Sequence, residues 1–315
     1  MKIGFITDPL DSLKIKKDST YAMMAEAARR DHALYVMQQD DLVWKLGHVY
    51  AAMSQITLRK GTGHWYALDP ASETRLSDLD CVIMRKDPPF DVEYVTSTWL
   101  LEQAQREGAR IFNDPRALRD HSEKLAIAQY PQFLAPTLVA RSSQQLHGFI
   151  DEHADVILKP LGGMGGQSIF RVTDCDPNRN VIVETLSDNG RRSVMAQRYI
   201  AQIRDGDKRV LLIGGRPVPY CLARIPKPGE SRGNLAAGGT GVARPLTARD
   251  LEIANALGPE LARRGLLLVG LDVIGEYLTE INVTSPTCFQ EITDQSGFNV
   301  AGMFMDELQA ACAAR

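Results

Sequence analysis

The sequence predicts an α/β domain followed by two mixed α+β pieces. Three observations carry that expectation. Over roughly residues 1–115, short apolar strands alternate with helical stretches, as in a parallel sheet with crossover helices. From about residue 120 the texture changes to a glycine cluster, a hairpin and paired strands. The length of 315 residues, 44% hydrophobic and 24% charged, suits about two or three domains with a sizeable core. The expected division is 1–120, 121–200 and 201–315.

Composition narrows the partners. A formal net charge of −3 supplies no basic field for nucleic acid. Cys81, Cys175, Cys221, Cys288 and Cys312 are scattered, odd in number and without a CxxC. That argues against a disulfide framework or zinc cluster and fits a reducing cytoplasm. The opening run MKIGFITDPL is broken by Asp8 and Pro9, so it reads as a buried first strand and not a signal peptide. No apolar stretch approaches the ~20 residues that span a bilayer, so no membrane partner is expected.

Taken in order, KIGFIT (2–7) is the first strand. Ser19 stands where a cap of the Ala/Met-rich helix TYAMMAEAARR belongs. HALYVM, LDCVIMR and RIFN are further strands, and helix VEYVTSTWLLEQAQREG ends at Gly108, a C′ residue. Beyond 115, LRDHSEKLAIAQY reads as a helix, and DVILKP, QSIFRV, VIVETL and VMAQRYI as strands. KRVLLIGG and RPVPYCLAR form a hairpin turning at Gly214-Gly215. TARDLEIANALGPELARRG is a helix, with Thr247 and Asp250 in a near-capping-box arrangement. LLLVGLDVIG and YLTEINVT are strands, and VAGMFMDELQAACAAR is the closing helix.

Four constellations carry chemistry. In GGMGG (162–166) the missing side chains let backbone amides approach a phosphate, and Lys159 upstream is placed as a point charge. Neither GxGxxG opening a helix nor GxxxxGK[ST] is present, and a plain turn is the alternative. Asp272, Glu280 and Asn282 put oxygen donors into otherwise apolar strands. With no His or Cys beside them in those strands, they suit magnesium; a solvated polar face is the alternative. For Asp272 and Glu280 to share a face they must be cross-strand partners, which requires a three-residue connection at 275–277 or an equivalent bulge. Arg209, Arg224 and Arg232 flank one hairpin and its glycine-rich loop 225–241, as a positive rim facing that site. The loop reads as a mobile lid that excludes water, or else as a disordered insert. Finally MRKDPPFD (84–91), with Arg85 and Asp87, follows a strand end where open α/β sheets hold ligands. A rigid turn is equally consistent there. IKKDS (15–19) is a weaker second contact.

MRKDPPFD, KPLGGMGG, ARIPKPGESRGNLAAGG and LTEINVTSPT occur in this order along the chain. Together they closely resemble the bacterial glutathione synthetase family of ATP-grasp carboxylate–amine ligases. The resemblance implies an ATP-grasp fold with an N-terminal Rossmann-like (pre-ATP-grasp) α/β domain. It implies ATP-dependent joining of γ-glutamylcysteine to glycine, giving glutathione, ADP and phosphate. It implies magnesium, with manganese as a substitute, and a cytoplasmic homotetramer. By resemblance, Lys124 and Lys159 with Gly162, Gly163, Gly165 and Gly166 would meet the phosphates. Gln197, Arg198, Tyr199 and Ile200 would line adenine, and Asp207 would meet the ribose. Asp272, Glu280 and Asn282 would hold metal. Arg209, Arg224 and Arg232 would steady the transferring phosphoryl group. Arg85, Asp87, Lys17, Asp18, Asn282 and Ser285 would contact substrate. Arg198 departs from the smaller polar residue expected at its hinge position. None of the five cysteines is assigned a catalytic role.

Three rival readings are compatible with these residues. Another ATP-grasp ligase, such as a D-alanine–D-alanine ligase or a glutamate-adding enzyme, would share the phosphate loop and carboxylates. A non-catalytic ATP-binding module would share the fold, although the retained carboxylates and arginines weigh against it. A nicotinamide oxidoreductase is disfavoured because the first βα turn, TDPLDSLK, lacks GxGxxG.

Overall fold

Alternating strands and helices at the N-terminus build a parallel core. In the computed structural model, which describes residues 1–59, 64–163, 165–230, 232–235 and 238–314, β1 (Lys2–Ile6) pairs in parallel with β2 (Ala33–Met37) and β7 (Cys81–Met84). β7 pairs in parallel with β8 (Ile111–Phe112). Helix α1 (Ser19–Arg29) buries Met23, Met24 and Ala27 against Ile3, Phe5 and Ile83. Helix α2 (Val92–Arg106) buries Tyr94, Leu101 and Ala104 against the other face, at Ile6, Val82 and Met84. A strand covered on both faces reads as a continuous apolar run, which is why these strands were legible. The order β2-β1-β7-β8 puts the switch point at the ends of β1 and β7.

Residues 42–75 depart from the expected purely parallel layer. β3 (Leu42–Lys45), β4 (His48–Leu58), β5 (Tyr66–Leu68) and β6 (Ser72–Arg75) extend the sheet antiparallel from β2. β4 alternates buried Val49, Ala51 and Met53 with more exposed neighbours, the period-two pattern of a strand covered on one face. The cap of α1 also differs. Asp18, not Ser19, accepts from the Tyr21 amide at 2.7 Å, while the buried Ser19 hydroxyl accepts from the Phe289 amide at 3.2 Å.

Two segments differ from the state expected. LRDHSEKLAIAQY is not one helix: α3 (Pro115–Arg119) stops and a 3₁₀ turn at Leu125–Gln129 follows. Glu123, between them, gives its carbonyl to the Ile281 amide at 2.9 Å, so the backbone bonds to a distant strand instead of its own turn. VIVETL is not a strand but part of helix α5 (Arg179–Ser187). Its Val183, Leu186 and Ser187 are buried at helical spacing, and tertiary burial overrides the β-branched run.

A middle sheet, ordered β11-β10-β12-β9, is antiparallel; it comprises β9 (Thr137–Ala140), β10 (Asp155–Pro160), β11 (Phe170–Thr173) and β12 (Val194–Arg198). Helices α4 (Ser143–His153) and α5 cover one face, with Leu146, Ile150 and Val183 against Val156, Leu158 and Ala196. The C-terminal sheet is ordered β15-β14-β13-β16-β17. Its β13 (Asp207–Ile213) and β14 (Arg216–Ile225) turn at Gly214 and Gly215, with φ of +58° and +77°. That left-handed pair suits a tight primed turn. β15 (Thr240–Pro245) lies outside β14, and the capping box of Thr247 and Asp250 starts α6 (Ala248–Arg263). α6 covers one face through Ile253, Leu257 and Leu261. α7 (Phe289–Ser296) and α8 (Val300–Ala313) cover the other through Phe289, Phe304 and Met305. β16 (Leu268–Ile274) and β17 (Tyr277–Asn282) complete the sheet. Met164 of the glycine cluster, Ser231, Ala236 and Ala237 of the loop, and Arg315 of the closing helix lie outside the described residues.

His121, beside the break after α3, is buried, and its Nε2 has no partner among the described residues. Burial, aided by the Arg264 guanidinium, lowers its pKa from 6.5 to about 4. Between those values the unfolded chain binds a proton that the folded chain refuses, so stability falls as pH drops from about 6.5 towards 4. The full loss should be about 3 kcal/mol. His121→Leu should flatten that part of the stability–pH curve in urea unfolding at pH 7 and 5; an unchanged slope would place the acid sensitivity elsewhere.

Candidate active site

Two sheets face each other across a cleft, and simple periodicity decides what each turns into it. On β10, Val156 and Leu158 point into the helical layer, so Ile157 and Lys159 point the other way. Gln197 on β12 does the same and donates to the Thr137 hydroxyl at 3.1 Å. Arg198, Tyr199 and Ile200 continue this wall. The opposite wall carries Asp207, Asp272, Ile274, Thr279 and Glu280.

The turn between β16 and β17 has two residues, Gly275 and Glu276, which pairs Ile274 with Tyr277 and Val273 with Leu278. The register then shifts, and Asp272 pairs with Glu280. The bulge required by the shared-face reading is therefore present, with Thr279 as the extra residue. Its hydroxyl donates to the Asp272 carbonyl at 3.1 Å. Asn282 follows on the same strand and donates its amide to the Gly270 carbonyl at 3.1 Å, which leaves its oxygen as an acceptor.

Arg209 and Arg224 do not form an exposed rim. Both are buried beside Asp272 and Asp207, because Arg209 is the cross-strand partner of Asp272 and Arg224 that of Asp207. Arg209 donates Nε to Asp272 Oδ1 at 2.6 Å, and Arg224 Nη2 lies 2.9 Å from Asp272 Oδ2 and 2.5 Å from Asp207 Oδ2. Burial pushes the Asp272 carboxyl up, but Arg209 and Arg224 outweigh it and hold the group below the usual carboxylate range. Asp207, buried with Asp272 as a near like charge, is pushed up to about 6 despite Arg224. Its Oδ1 is buried without a partner among the described residues, and the residue itself lines the cleft.

Two lysines gather beside Glu280. Lys124 Nζ donates to the Gly163 carbonyl at 2.9 Å and lies 4.0 Å from Glu280 Oε1. Lys159 Nζ donates to the Thr279 carbonyl at 3.3 Å and lies 3.6 Å from Glu280 Oε1. Burial lowers the Lys159 pKa, partly offset by Glu280. Gly163, Gly165 and Gly166 line the cleft at φ of +90°, +66° and +80°, conformations that side chains resist. Gly162 lies outside the lining. Arg232 pairs with Glu230 at 2.7 Å and donates Nη1 to the Gly166 carbonyl at 3.3 Å, so the loop touches the glycine cluster. A Cβ on Gly166 would sit 2.6 Å from Asn234 Oδ1.

The donor chemistry fits magnesium. Asp272, Glu280 and Asn282 offer hard oxygens, and carboxylate oxygens hold more lone pairs than the arginines use. Among the described residues no group of three or more His, Cys, Asp and Glu could hold a metal. Magnesium suits such a sparse set, because it usually takes one or two carboxylates plus substrate phosphates.

The remaining expected residues gather apart from the cleft. Arg85 is buried at the switch point and donates Nε to the Thr20 hydroxyl and Nη2 to the Pro286 carbonyl, both at 3.0 Å. Asp87 donates its amide to Asp8 at 2.8 Å, Asp18 spends its carboxylate on capping α1, and Lys17 is exposed. Ser285 is half-buried between Thr284 and Pro286. Sequence reasoning missed Ile157, Ile169 and Ile274, which give the cleft an apolar lining near Tyr199 and Ile200. Period two counted back from Lys159 finds Ile157, and counted forward from Asp272 finds Ile274. Asn234 had no such signal.

A cleft between two sheets with lysines, a glycine cluster and strand carboxylates defines an ATP-grasp ligase, and the comparisons agree. D-cycloserine synthetase superposes with a TM-score of 0.66 at 16% identity, over 99% of this chain and 100% of that one. The prokaryotic glutathione synthetase N-terminal domain matches residues 1–119, and the prokaryotic glutathione synthetase ATP-grasp domain matches residues 123–297. Glutathione synthetase of Nitrosomonas europaea is 60% identical over 312 residues, covering 98% of each chain. That of Pseudomonas aeruginosa is 52% identical over 315 residues, covering 100% of this chain and 99% of the relative. The chain belongs to the prokaryotic glutathione synthetase family and is an ATP-dependent ligase of glutathione synthesis.

Asp272→Asn should destabilise the fold by about 3–5 kcal/mol, because it takes from buried Arg209 its described ion-pair partner and leaves Arg224 with Asp207 alone. Urea unfolding measures this. Unchanged stability would mean that Asp272 is not their counter-ion.

Proposed function

We propose that the enzyme joins γ-glutamylcysteine to glycine at the expense of ATP, giving glutathione, ADP and phosphate. The observation that carries the reading is the Asp272–Glu280 pair opposite Lys159 and Lys124. A peptide carboxylate is unreactive towards an amine because its oxygen leaves poorly. The cysteinyl carboxylate attacks the γ-phosphorus and ADP departs. Glycine's amine then attacks the acyl-phosphate carbonyl, phosphate departs, and the nitrogen sheds its proton to solvent.

Adenine lies against Gln197, Arg198, Tyr199 and Ile200, with Ile157 and Ile274 supplying apolar contact. Asp207, through its unpartnered oxygen, accepts from a ribose hydroxyl. Lys124 and Lys159, with the amides of Gly162, Gly163, Gly165 and Gly166, receive phosphate oxygens. Asp272, Glu280 and Asn282 would hold magnesium, or manganese in its place, which would neutralise phosphate charge. Arg209 and Arg224 hold Asp272 and offer their remaining Nη1 groups to the transferring phosphoryl group. Arg232 and loop 225–241 close over the acyl phosphate, which water would otherwise hydrolyse. Arg85, a buried guanidinium without a carboxylate among the described ion pairs, receives a substrate carboxylate. Asp87, Lys17, Asp18, Asn282 and Ser285 are further contacts. A cytoplasmic homotetramer built from domains 1–120, 121–200 and 201–315 completes the proposal. The three separate sheets support that division, and exposed Trp44 on the edge strand β3 and Leu46 in the turn after it offer an interface.

ADP release tests the reaction. With ATP and magnesium, it should require γ-glutamylcysteine and glycine together and match tripeptide formed. Release with a different pair would keep the ligase and change the substrates. Arg232→Ala should lower tripeptide formed per ATP consumed more than it weakens ATP binding; unchanged turnover would remove Arg232 from the mechanism.

A further inference from the structure

The outer edge of β17 is where the segments of this site meet. Its inner edge is paired with β16, so its outward N–H and C=O groups need other partners. Lys159 takes the Thr279 carbonyl. The Glu123 carbonyl accepts from the Ile281 amide at 2.9 Å. The Glu123 carboxylate, through Oε1, accepts from the Val283 amide at 2.9 Å, the Thr284 amide at 3.1 Å and the Thr284 hydroxyl at 2.9 Å. Two residues on, Arg85 takes the Pro286 carbonyl. Glu123 therefore grips the metal strand with its backbone and the stretch after it with its side chain. The next residue in the chain is Lys124, whose ammonium reaches Gly163 and faces Glu280.

We propose that Glu123 is a positioning residue: its one carboxylate sets Lys124, Asn282 and Ser285 relative to one another, and so ties the nucleotide cleft to the Arg85 site. It does this through three accepted hydrogen bonds, so the acceptor oxygen matters more than the charge. The proposal rests on assigning the cleft to ATP and not on the choice of carboxylate and amine.

The test compares Glu123→Ala, Glu123→Gln and Thr284→Val. Affinity for a non-hydrolysable ATP analogue with magnesium, kcat and KM for ATP are measured beside thermal melting. Glu123→Ala should weaken the analogue and lower kcat by about tenfold each, as expected for losing three partly buried, charge-assisted bonds. Glu123→Gln keeps an acceptor oxygen and should restore both to within about threefold. Thr284→Val should fall between wild type and Glu123→Ala and add little in the Ala background. Affinity and kcat within twofold of wild type in Glu123→Ala would overturn the proposal. So would Glu123→Gln as impaired as Glu123→Ala. If Glu123→Ala does not fold, wild-type behaviour of Thr284→Val would overturn it. A wild-type enzyme that does not bind the analogue would instead refute the nucleotide assignment.

Discussion

One extra residue decides what faces the cleft. Without Thr279 as a bulge, the two-residue turn at Gly275-Glu276 would pair Asp272 with Thr279 and drive Glu280 to the opposite face of the sheet. With it, two carboxylates stand opposite each other at the end of the cleft where the lysines converge. The bulge also turns the Thr279 carbonyl outward to meet Lys159 from the middle sheet. Strand register, the placing of the two carboxylates and contact between the two walls thus share one local cause.

The buried charges follow from that placement. Asp272 can lie in the sheet interior only because Arg209 and Arg224 surround it, and those arginines are tolerable only because Asp272 and Asp207 answer them. Such a network adds little net stability. Its effect is to hold Asp272 ionised and fixed, and a fixed anion suits the orienting of a metal on phosphate. Lys159 sits differently. It is buried with Glu280 as its described ion-pair partner 3.6 Å away, burial still lowers its pKa, and an arriving phosphate would add a second anion. Binding energy from ATP can then be used to draw the two sheets together.

Much of this was legible in the sequence, for identifiable reasons. Asp272 stood out because Leu271, Val273 and Ile274 are apolar on either side. The need for a bulge followed from the period of two alone. The N-terminal parallel strands were readable because both faces are buried. What was hidden depended on distant partners. Nothing local indicates that Glu123 bonds to Ile281 and breaks a helix, or that burial against β10 makes VIVETL helical. The strands at 42–75 were missed because alternation with a single covered face is a weak signal among polar residues. The burial of Arg209 and Arg224, read as a rim, depends on cross-strand partners that no local pattern shows, and Asp18 caps α1 while the Ser19 hydroxyl accepts from the Phe289 amide.

We expect Glu280, set opposite Asp272 by the bulge, to couple metal and phosphate binding at this end of the cleft. Calorimetric titration of a non-hydrolysable ATP analogue, with and without magnesium, tests it in wild type and Glu280→Gln. Magnesium should tighten binding in the wild type and do so little or not at all in the variant, while the variant melts close to wild type. Equal magnesium dependence in the two proteins would contradict it.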